Sequence, residues 1–267
     1  MNFIIVATGY ESVATGYESG RHTEIVDLNN PDFHCTGLSD FPISVAYAAG
    51  GIVNGIPIIC GGANSTFDRS VINNEKSEKI HTVSKDCYAF DFEERKWTKK
   101  KSLELDVPKF DLGTGSLTIN DELLIHGGKK DGHSFINDDY SFANGALTVS
   151  GHCNLMINRT HFMMMGGTIP YDNRGHKRHK VTENTYFCHV DLKKCIPGPP
   201  LNHPRKAHGC YKRTFQGKQQ LNVIGGFKDE HKIESISDVE TLVLGEEVER
   251  WKMGEYSFDP FTYLLTF

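Results

Sequence analysis

The stretch Phe162-Met163-Met164-Met165-Gly166-Gly167 decides the fold, because a short apolar run closed by two glycines recurs along the chain. The other complete copies occupy residues 56–62, 123–128 and 221–226, and residues 3–9 form a degraded first copy. Each run has the length of a buried strand and is too short for a helix. The paired glycines predict a point where two backbones approach closely or adopt dihedral angles that a Cβ atom forbids.

A second pair of strands is predicted after each apolar run. It begins at an apolar residue followed by aspartate, and an aromatic residue stands six positions later, as in Val26-Asp27-Leu28 with Phe33 and Phe90-Asp91-Phe92 with Trp97. In Val190-Asp191-Leu192 the corresponding residue is Cys195, four positions after the aspartate, so that hairpin is expected to be shorter. The last copy leads from Leu244 to Trp251 without the aspartate. A further strand precedes each Gly-Gly run, and Asn54-Gly55 is a strong hairpin-turn signal there. Four antiparallel strands in this order make one blade of a β-propeller.

The repeats predict a single all-β domain over residues 1–267, a propeller of about five four-stranded blades. The expected blades are residues 1–42, 43–108, 109–150, 151–204 and 205–260. The third is short and has no tryptophan, so its last strand is expected to be reduced or missing. Because a propeller must hide its first and last edges, residues 261–267 are expected to pair beside residues 3–8. Residues 6–12 recur unchanged as residues 13–19, a tandem duplication in the first blade.

This pattern resembles the kelch-repeat family of β-propellers. The resemblance covers nearly the whole chain and rests on the pairs Gly61-Gly62, Gly127-Gly128, Gly166-Gly167 and Gly225-Gly226, on Phe90 with Trp97, and on Leu244 with Trp251. It implies a propeller that commonly binds proteins through loops at one end. Some kelch-fold relatives are copper oxidases, so a galactose-oxidase-like enzyme at the propeller mouth is an alternative. The tyrosine, histidine and cysteine set of that activity cannot be matched in this sequence residue by residue.

Composition narrows the class of protein. The chain has 267 residues, a formal net charge of -5, 38% hydrophobic residues and 24% charged residues. These values suit a folded domain and argue against a general nucleic-acid binder. No apolar run approaches the roughly 18 residues of a membrane-spanning helix. The N-terminus lacks a signal-peptide pattern, so we expect a cytoplasmic protein if residue 1 is the native start and an extracellular one if the chain is truncated there.

The seven cysteines leave two interpretations open. They are Cys35, Cys60, Cys87, Cys153, Cys188, Cys195 and Cys210. As buried strand residues they would act as small apolar side chains. In an extracellular protein they would form bridges, with Cys188 and Cys195 joining the two arms of one hairpin and further bonds among Cys35, Cys60 and Cys87.

Short motifs give little sign of catalysis or of a metal. No cysteine forms a CxxC pair, and the sequence has no P-loop, HExxH or GxSxG pattern. His176 and His179 are close in sequence, but no third ligand stands at a suitable spacing. We therefore expect no catalytic residues, no cofactor and no metal. Asn64-Ser65-Thr66 and Asn158-Arg159-Thr160 are acceptor motifs for N-linked glycans if the chain is secreted.

The candidate binding surface lies on the long segments that connect the second and third strands of the blades. These segments span residues 63–86, 168–184 and 227–237, and strand parity predicts that they leave from one end of the propeller, beside 105–110 and 201–207. The middle segment and its neighbour supply the candidate binding residues Arg174, His176, Lys177, Arg178, Lys180 and Arg205. This basic cluster suits an acidic peptide or another anion, or it is a solvated loop on an acidic protein.

These observations predict a non-catalytic protein-interaction scaffold that binds a protein or peptide partner through the loops of one propeller face. The basic cluster favours an acidic partner. One alternative is a secreted or cell-surface propeller that binds glycans or proteins, and the other is the enzyme described above. Nucleic acid and a membrane span are not expected.

Overall fold

The computed structural model describes residues 3–7, 10–13, 16–27, 30–35, 38–68, 78–112, 117–119, 122–131, 134–136, 141–142, 145–173, 176–229, 235–246 and 250–257. Over these residues the protein consists of β-strands, turns and one short 3-10 helix at Lys101–Leu103. No helix in this part of the chain is long and apolar enough to cross a membrane.

The described strands follow one another in five groups. The first group is β1 (Phe3–Ala7), β2 (Tyr10–Val13), β3 (Gly16–Ser19), β4 (Thr23–Asp27) and β5 (Asn30–Cys35). The second is β6 (Ala49–Val53), β7 (Ile56–Cys60), β8 (Ala63–Asp68), β9 (Glu78–Val83), β10 (Cys87–Asp91) and β11 (Lys96–Lys99). The third is β12 (Leu117–Ile119), β13 (Glu122–Leu124), β14 (Ser141–Phe142) and β15 (Gly145–Ala146). The fourth is β16 (Cys153–Met156), β17 (His161–Met165), β18 (Thr168–Asn173), β19 (His176–Val181), β20 (Thr185–His189) and β21 (Lys194–Pro197). The fifth is β22 (Gly209–Phe215), β23 (Lys218–Ile224), β24 (Asp238–Val243) and β25 (Lys252–Ser257).

Three of these groups contain a complete antiparallel sheet of four strands, in the order that the repeat predicted. The complete blades are β6-β7-β10-β11, β16-β17-β20-β21 and β22-β23-β24-β25. Among the described residues the first blade has three strands, β1-β4-β5, and the third has two, β12-β13. Strands β14 and β15 instead extend the fourth sheet at its outer strand, β21. Among the described residues the third blade therefore has the fewest strands.

The inner strands stand side by side in chain order. Strand β6 lies next to β12 and β13, β12 lies next to β16, and β16 lies next to β22. Main-chain hydrogen bonds join consecutive blades near these strands, from the N–H of Leu112 to the oxygen of Tyr47 (3.3 Å), from Gly151 to Asp111 (2.7 Å) and from Ala207 to Gly151 (2.8 Å). The protein is thus an all-β propeller, which confirms the predicted fold class. The predicted closing strand, 261–267, lies outside the described residues.

Paired glycines form the corner where the second strand of a blade ends. Gly166 and Gly167 have φ angles of 61° and 95°, and the pairs at 61–62, 127–128 and 225–226 also have positive φ. A Cβ atom on Gly166 would lie 2.5 Å from the carbonyl oxygen of Arg205, and one on Gly167 would lie 2.6 Å from that of Ser150. The Gly167 N–H donates to the Arg205 oxygen at 2.7 Å. Close approach and positive φ, the two reasons that the sequence suggested, both apply here.

The methionine run fills the spaces on both sides of β17. Because side chains alternate along a strand, Met164 packs towards the third blade, in a buried cluster with Leu117. Met163 and Met165 pack towards the fifth blade, in a cluster with Leu221. This run is therefore core, and the fourth blade is held by apolar contacts to both of its neighbours.

Each of the two tryptophans of the repeat connects its blade, through a hydrogen bond, to a residue that lies before that blade in the chain. Trp97 is buried, and its Nε1–H donates to Oγ1 of Thr23 in the first blade at 3.0 Å. Trp251 is also buried, and its Nε1–H donates to the carbonyl oxygen of Pro199, which follows the fourth blade, at 3.0 Å. Both rings therefore combine apolar packing with a satisfied indole donor.

Six of the seven cysteines pair in disulfide bonds, so the structure agrees with the second interpretation, in which the cysteines form bridges. Cys60–Cys87 joins β7 to β10, Cys188–Cys195 joins β20 to β21, and Cys153–Cys210 joins β16 to β22. The first two bonds connect directly opposite residues within a blade. The third connects the inner strands of two blades. All six residues are buried, and the side chain of Cys35 lies outside the described residues.

Replacing Gly166 with alanine is expected to lower the free energy of unfolding by about 3 kcal/mol or more, because the new Cβ atom meets a backbone oxygen that cannot move away alone. Gly217→Ala is the matched control, since Gly217 has φ of 75° and nothing within 4 Å of an added Cβ. That variant should cost only about 1 kcal/mol. Urea denaturation followed by tryptophan fluorescence measures both, and equal losses would contradict the close-approach role of the corner.

Candidate functional site

Two of the long connecting segments contain β-hairpins. Segment 168–184 contains β18 and β19, which pair from Thr168 with Val181 to Asn173 with His176. Thr168 follows the glycine corner and also bridges to Ser150, so the ladder starts on the scaffold and continues outward. Segment 63–86 likewise contains β8 and β9. A hairpin satisfies its own backbone hydrogen bonds, and this is why these segments form strands.

The tandem duplication builds a third hairpin at the same end. Strand β2 takes most of its residues from the first copy and β3 lies in the second, and the two pair from Tyr10 with Ser19 to Val13 with Gly16. Strand β3 then pairs with β8 of the second blade, so β2-β3-β8-β9 is a four-stranded sheet built from two blades. The buried Ser19 strengthens this junction, since its Oγ accepts the Ser65 N–H at 2.7 Å.

Two of the predicted binding residues lie exposed on β19. Arg178 stands opposite Tyr171, and Lys180 stands opposite Ile169, so these four side chains share one face of the hairpin. The main chain of His176 and Lys177 belongs to the same strand, but their side chains lie outside the described residues. Arg174 also lies outside them.

The other face of β19 rests on the third blade. The half-buried His179 ring meets the Phe135 ring edge-to-face, with centroids 4.8 Å apart. The Phe135 ring in turn lies 5.0 Å from Nζ of Lys129. Because neighbouring residues of a strand point to opposite faces, this contact turns Arg178 and Lys180 away from the scaffold.

Arg205 is buried, which corrects its predicted place on the binding surface. Its guanidinium contacts Oδ1 of Asp238 at 2.7 Å and Oε1 of Glu240 at 2.5 Å, and it donates to the Gly225 carbonyl oxygen at 2.9 Å. The side chains of Arg205 and Glu240 have no exposed surface. The main chain of Arg205 is tied to the corner at Gly167, and this position directs its side chain towards β24 instead of solvent.

Glu240 is the functional partner that sequence reasoning missed. Its carboxylate also accepts the backbone N–H groups of Asn202 at 2.5 Å and His203 at 3.1 Å, and the side-chain amide of Asn202 at 3.0 Å. His203 contacts Asp238 at 2.9 Å, so an imidazole and two carboxylates lie together. The Arg205 guanidinium contacts both carboxylates, and the cluster therefore works as an ion-pair network that joins the connecting segment to β24. The sequence signal for it is an acidic residue at a buried position of an apolar strand.

A second buried ion pair lies at the corner between the third and fourth blades. Lys129 Nζ lies 3.2 Å from Oδ2 of Asp111, and the Ser150 hydroxyl donates to the same oxygen at 2.7 Å. All three residues are buried. Buried charges are tolerated when they are paired and hydrogen-bonded, and this pair meets both conditions.

Two histidines are held neutral between the blades. His152 has no exposed surface and its ring lies 4.7 Å from the His126 ring. Burial, and then the neighbouring His126 and His208, lower the pKa of His152 well below its ordinary value. Burial, and then the charge of Arg205, lower the pKa of His208 to about 3. Both side chains therefore act as uncharged packing groups at neutral pH.

A surface pocket of about 480 Å³ lies at the base of the β8–β9 hairpin. Residues 43–45, Asn64 and residues 82–86 line it. The side-chain amide of Asn64 donates to the Ser44 carbonyl oxygen at 3.2 Å, and Lys85 pairs with Glu104 at 3.1 Å. The Asn64 amide and the Lys85 ammonium of this pocket are thus already engaged by other groups of the protein. The exposed face of β18–β19 is therefore the stronger candidate site.

Comparison with known proteins supports the fold alone. No protein-family model matches this chain, and no curated protein matches its sequence. The solved structure of YjhT, a kelch-like β-propeller, superposes with a TM-score of 0.66 over 95% of this chain and 81% of that one, at 12% sequence identity. Identity at this level carries the propeller architecture and no activity.

Replacing Arg205 with methionine is expected to lower the free energy of unfolding by about 3–5 kcal/mol, because it leaves Glu240 charged and unpaired in the interior. Arg178→Met is the matched control on an exposed residue, and it should change stability by less than about 0.5 kcal/mol. Urea denaturation curves measure both variants. A mild effect of the Arg205 substitution would show that the network does not stabilise the fold.

The neutral histidines predict a stability that falls in acid. The unfolded chain takes up a proton on each near the ordinary pKa of 6.5, whereas folded His208 stays neutral down to about pH 3. Unfolding therefore becomes easier as the pH drops below 6.5, with a slope of up to about 1.4 kcal/mol per pH unit for each histidine. His208→Asn and His152→Asn should each remove one such slope. Unfolding curves between pH 7 and pH 4 measure the slopes, and unchanged slopes would show that both rings protonate in the folded state.

Proposed function

We propose that this protein is a non-catalytic binding propeller whose β18–β19 hairpin captures an acidic segment of a partner protein. The observation that carries this proposal is the shared exposed face of Arg178 and Lys180 on a hairpin anchored to a rigid scaffold. Anchoring comes from the Ser150–Thr168 bridge at one end and from the ring contact of His179 at its inner face. A hairpin held in this way loses little conformational entropy when it binds.

The geometry of the face suits an extended acidic peptide. Side chains two residues apart on a strand stand about 7 Å from each other, and alternate carboxylates of an extended partner have the same spacing. Arg178 can bind a carboxylate through two parallel hydrogen bonds. Tyr171 and Ile169, the cross-strand neighbours, add apolar contact area for the residues between the carboxylates. The formal net charge of -5 makes this basic face distinct from the chain as a whole.

The buried polar groups favour binding over catalysis. Arg205 and Lys129 are cations of the described interior, and each is paired with a carboxylate. The galactose-oxidase-like alternative needs a cysteine beside tyrosine and histidine ligands. In the described part of the chain all six placed cysteines are bonded to one another.

A second element of the proposal is an oxidising compartment, which the three disulfide bonds favour. Disulfides persist in secreted and cell-surface proteins and are rare in the cytosol, where thiols are kept reduced. The Cys153–Cys210 bond closes a long loop between two blades, so it also stabilises the ring. These bonds therefore support the alternative in which the protein is secreted or lies on the cell surface and binds its partner there.

The Arg178→Glu/Lys180→Glu variant is expected to weaken binding of a fluorescein-labelled peptide of alternating glutamate and valine by about tenfold or more. Fluorescence anisotropy at about 0.15 M salt measures this, since charges more than about 8 Å away are then largely screened. Lys212→Glu/Arg213→Glu is the matched control, with the same charge change on exposed residues of β22. Equal weakening of peptide binding by both variants, or no binding of the peptide by the wild-type protein, would overturn the proposed site.

A further inference from the structure

The turn between β16 and β17 presents one of the two glycan-acceptor motifs to solvent. Asn158, Arg159 and Thr160 are all exposed in this turn. The Oδ1 atom of Asn158 accepts three hydrogen bonds, from the N–H of Thr160 (2.9 Å), the hydroxyl of Thr160 (3.1 Å) and the N–H of His161 (2.9 Å). None of these bonds uses Nδ2, the atom to which an N-linked glycan is attached.

We propose that Asn158 is an N-glycosylation site of this protein. In the transfer, Nδ2 forms a bond to the anomeric carbon of a lipid-linked oligosaccharyl diphosphate. The bond from that carbon to the diphosphate oxygen breaks, and the departing amide proton passes to a base of the transferase. The turn engages Oδ1 of the exposed Asn158, and these hydrogen bonds do not use Nδ2, so the side chain offers the reacting atom without local unfolding.

The second motif in the chain is closed to the same reaction. Asn64 lies in β8, half-buried, and its Nδ2 donates to the Ser44 carbonyl oxygen at 3.2 Å. The next residue, Ser65, is buried, and its N–H donates to Oγ of Ser19 at 2.7 Å. Two motifs of equal sequence quality therefore differ in the folded protein, and Asn64 is an internal control.

The position of Asn158 is compatible with partner binding. The turn between the first and second strands of a blade leaves from the end opposite to the hairpins, because strands alternate in direction. A glycan on Asn158 therefore leaves the exposed face of β18–β19 uncovered. The inference rests on the proposed oxidising compartment, since N-linked transfer and disulfide formation occur in the same secretory environment.

The experiment directs the full chain into the secretory pathway of eukaryotic cells with a cleavable leader. Glycopeptide mass spectrometry of the wild-type protein, with and without peptide N-glycosidase, maps the modified asparagine. We expect a glycan on Asn158 and none on Asn64. Asn158→Gln and Thr160→Ala should both abolish the glycosidase-sensitive mobility shift, whereas Asn64→Gln should keep it.

Alkylation of free thiols in the same sample separates this proposal from the proposed function. A secreted wild-type chain with its three disulfides formed and Asn158 unmodified overturns the glycosylation site and leaves the compartment and the peptide-binding face standing. A glycan on Asn64 instead of Asn158 also overturns it, because it contradicts the difference in exposure. Mapping is done on the wild-type protein, so poor folding of a variant does not affect the result.

Discussion

The close approach of backbone carbonyl groups to the glycine corners is the constraint on which the rest of the structure depends. At one corner the oxygen of Arg205 accepts the Gly167 N–H and leaves no room for a side chain on Gly166. The same contact fixes the main chain of the segment that connects two blades. Because that main chain is fixed, the Arg205 side chain reaches the carboxylates of β24, and the ion pair with Glu240 follows from the corner.

Among the described residues, the charged groups buried between the blades are paired and the buried histidines His152 and His208 are neutral. Arg205 is matched by Glu240 and Lys129 by Asp111, while His208 is held uncharged by burial. Desolvation makes an unpaired charge costly there, so each pairing is a condition for folding. This requirement separates the buried basic residues that serve the scaffold from exposed ones such as Arg178.

The two ends of the propeller differ in their chemistry. One end carries paired hairpins, including the four-stranded sheet β2-β3-β8-β9 and the basic face of β19. The other end carries short turns, among them the exposed turn at Asn158. Disulfide bonds join strands within the second and fourth blades and between the fourth and fifth blades. The proposed partner and the proposed glycan therefore occupy separate surfaces of one scaffold.

The sequence by itself determined the architecture, because a glycine corner or a strand is specified by residues that are neighbours in the sequence. The double glycines, the apolar runs before them and the tryptophans near the blade ends predicted an all-β propeller. The sequence also indicated the Cys188–Cys195 bridge, whereas the tertiary structure alone decided that Cys153 pairs with Cys210, why Arg205 is buried while Arg178 is exposed, and why Asn64 is half-buried while Asn158 is exposed. Those properties depend on neighbours far along the chain, as with Cys153 and Cys210, 57 residues apart, or Arg205 and Glu240, 35 residues apart. The identity of a residue does not by itself indicate which distant residues it will contact.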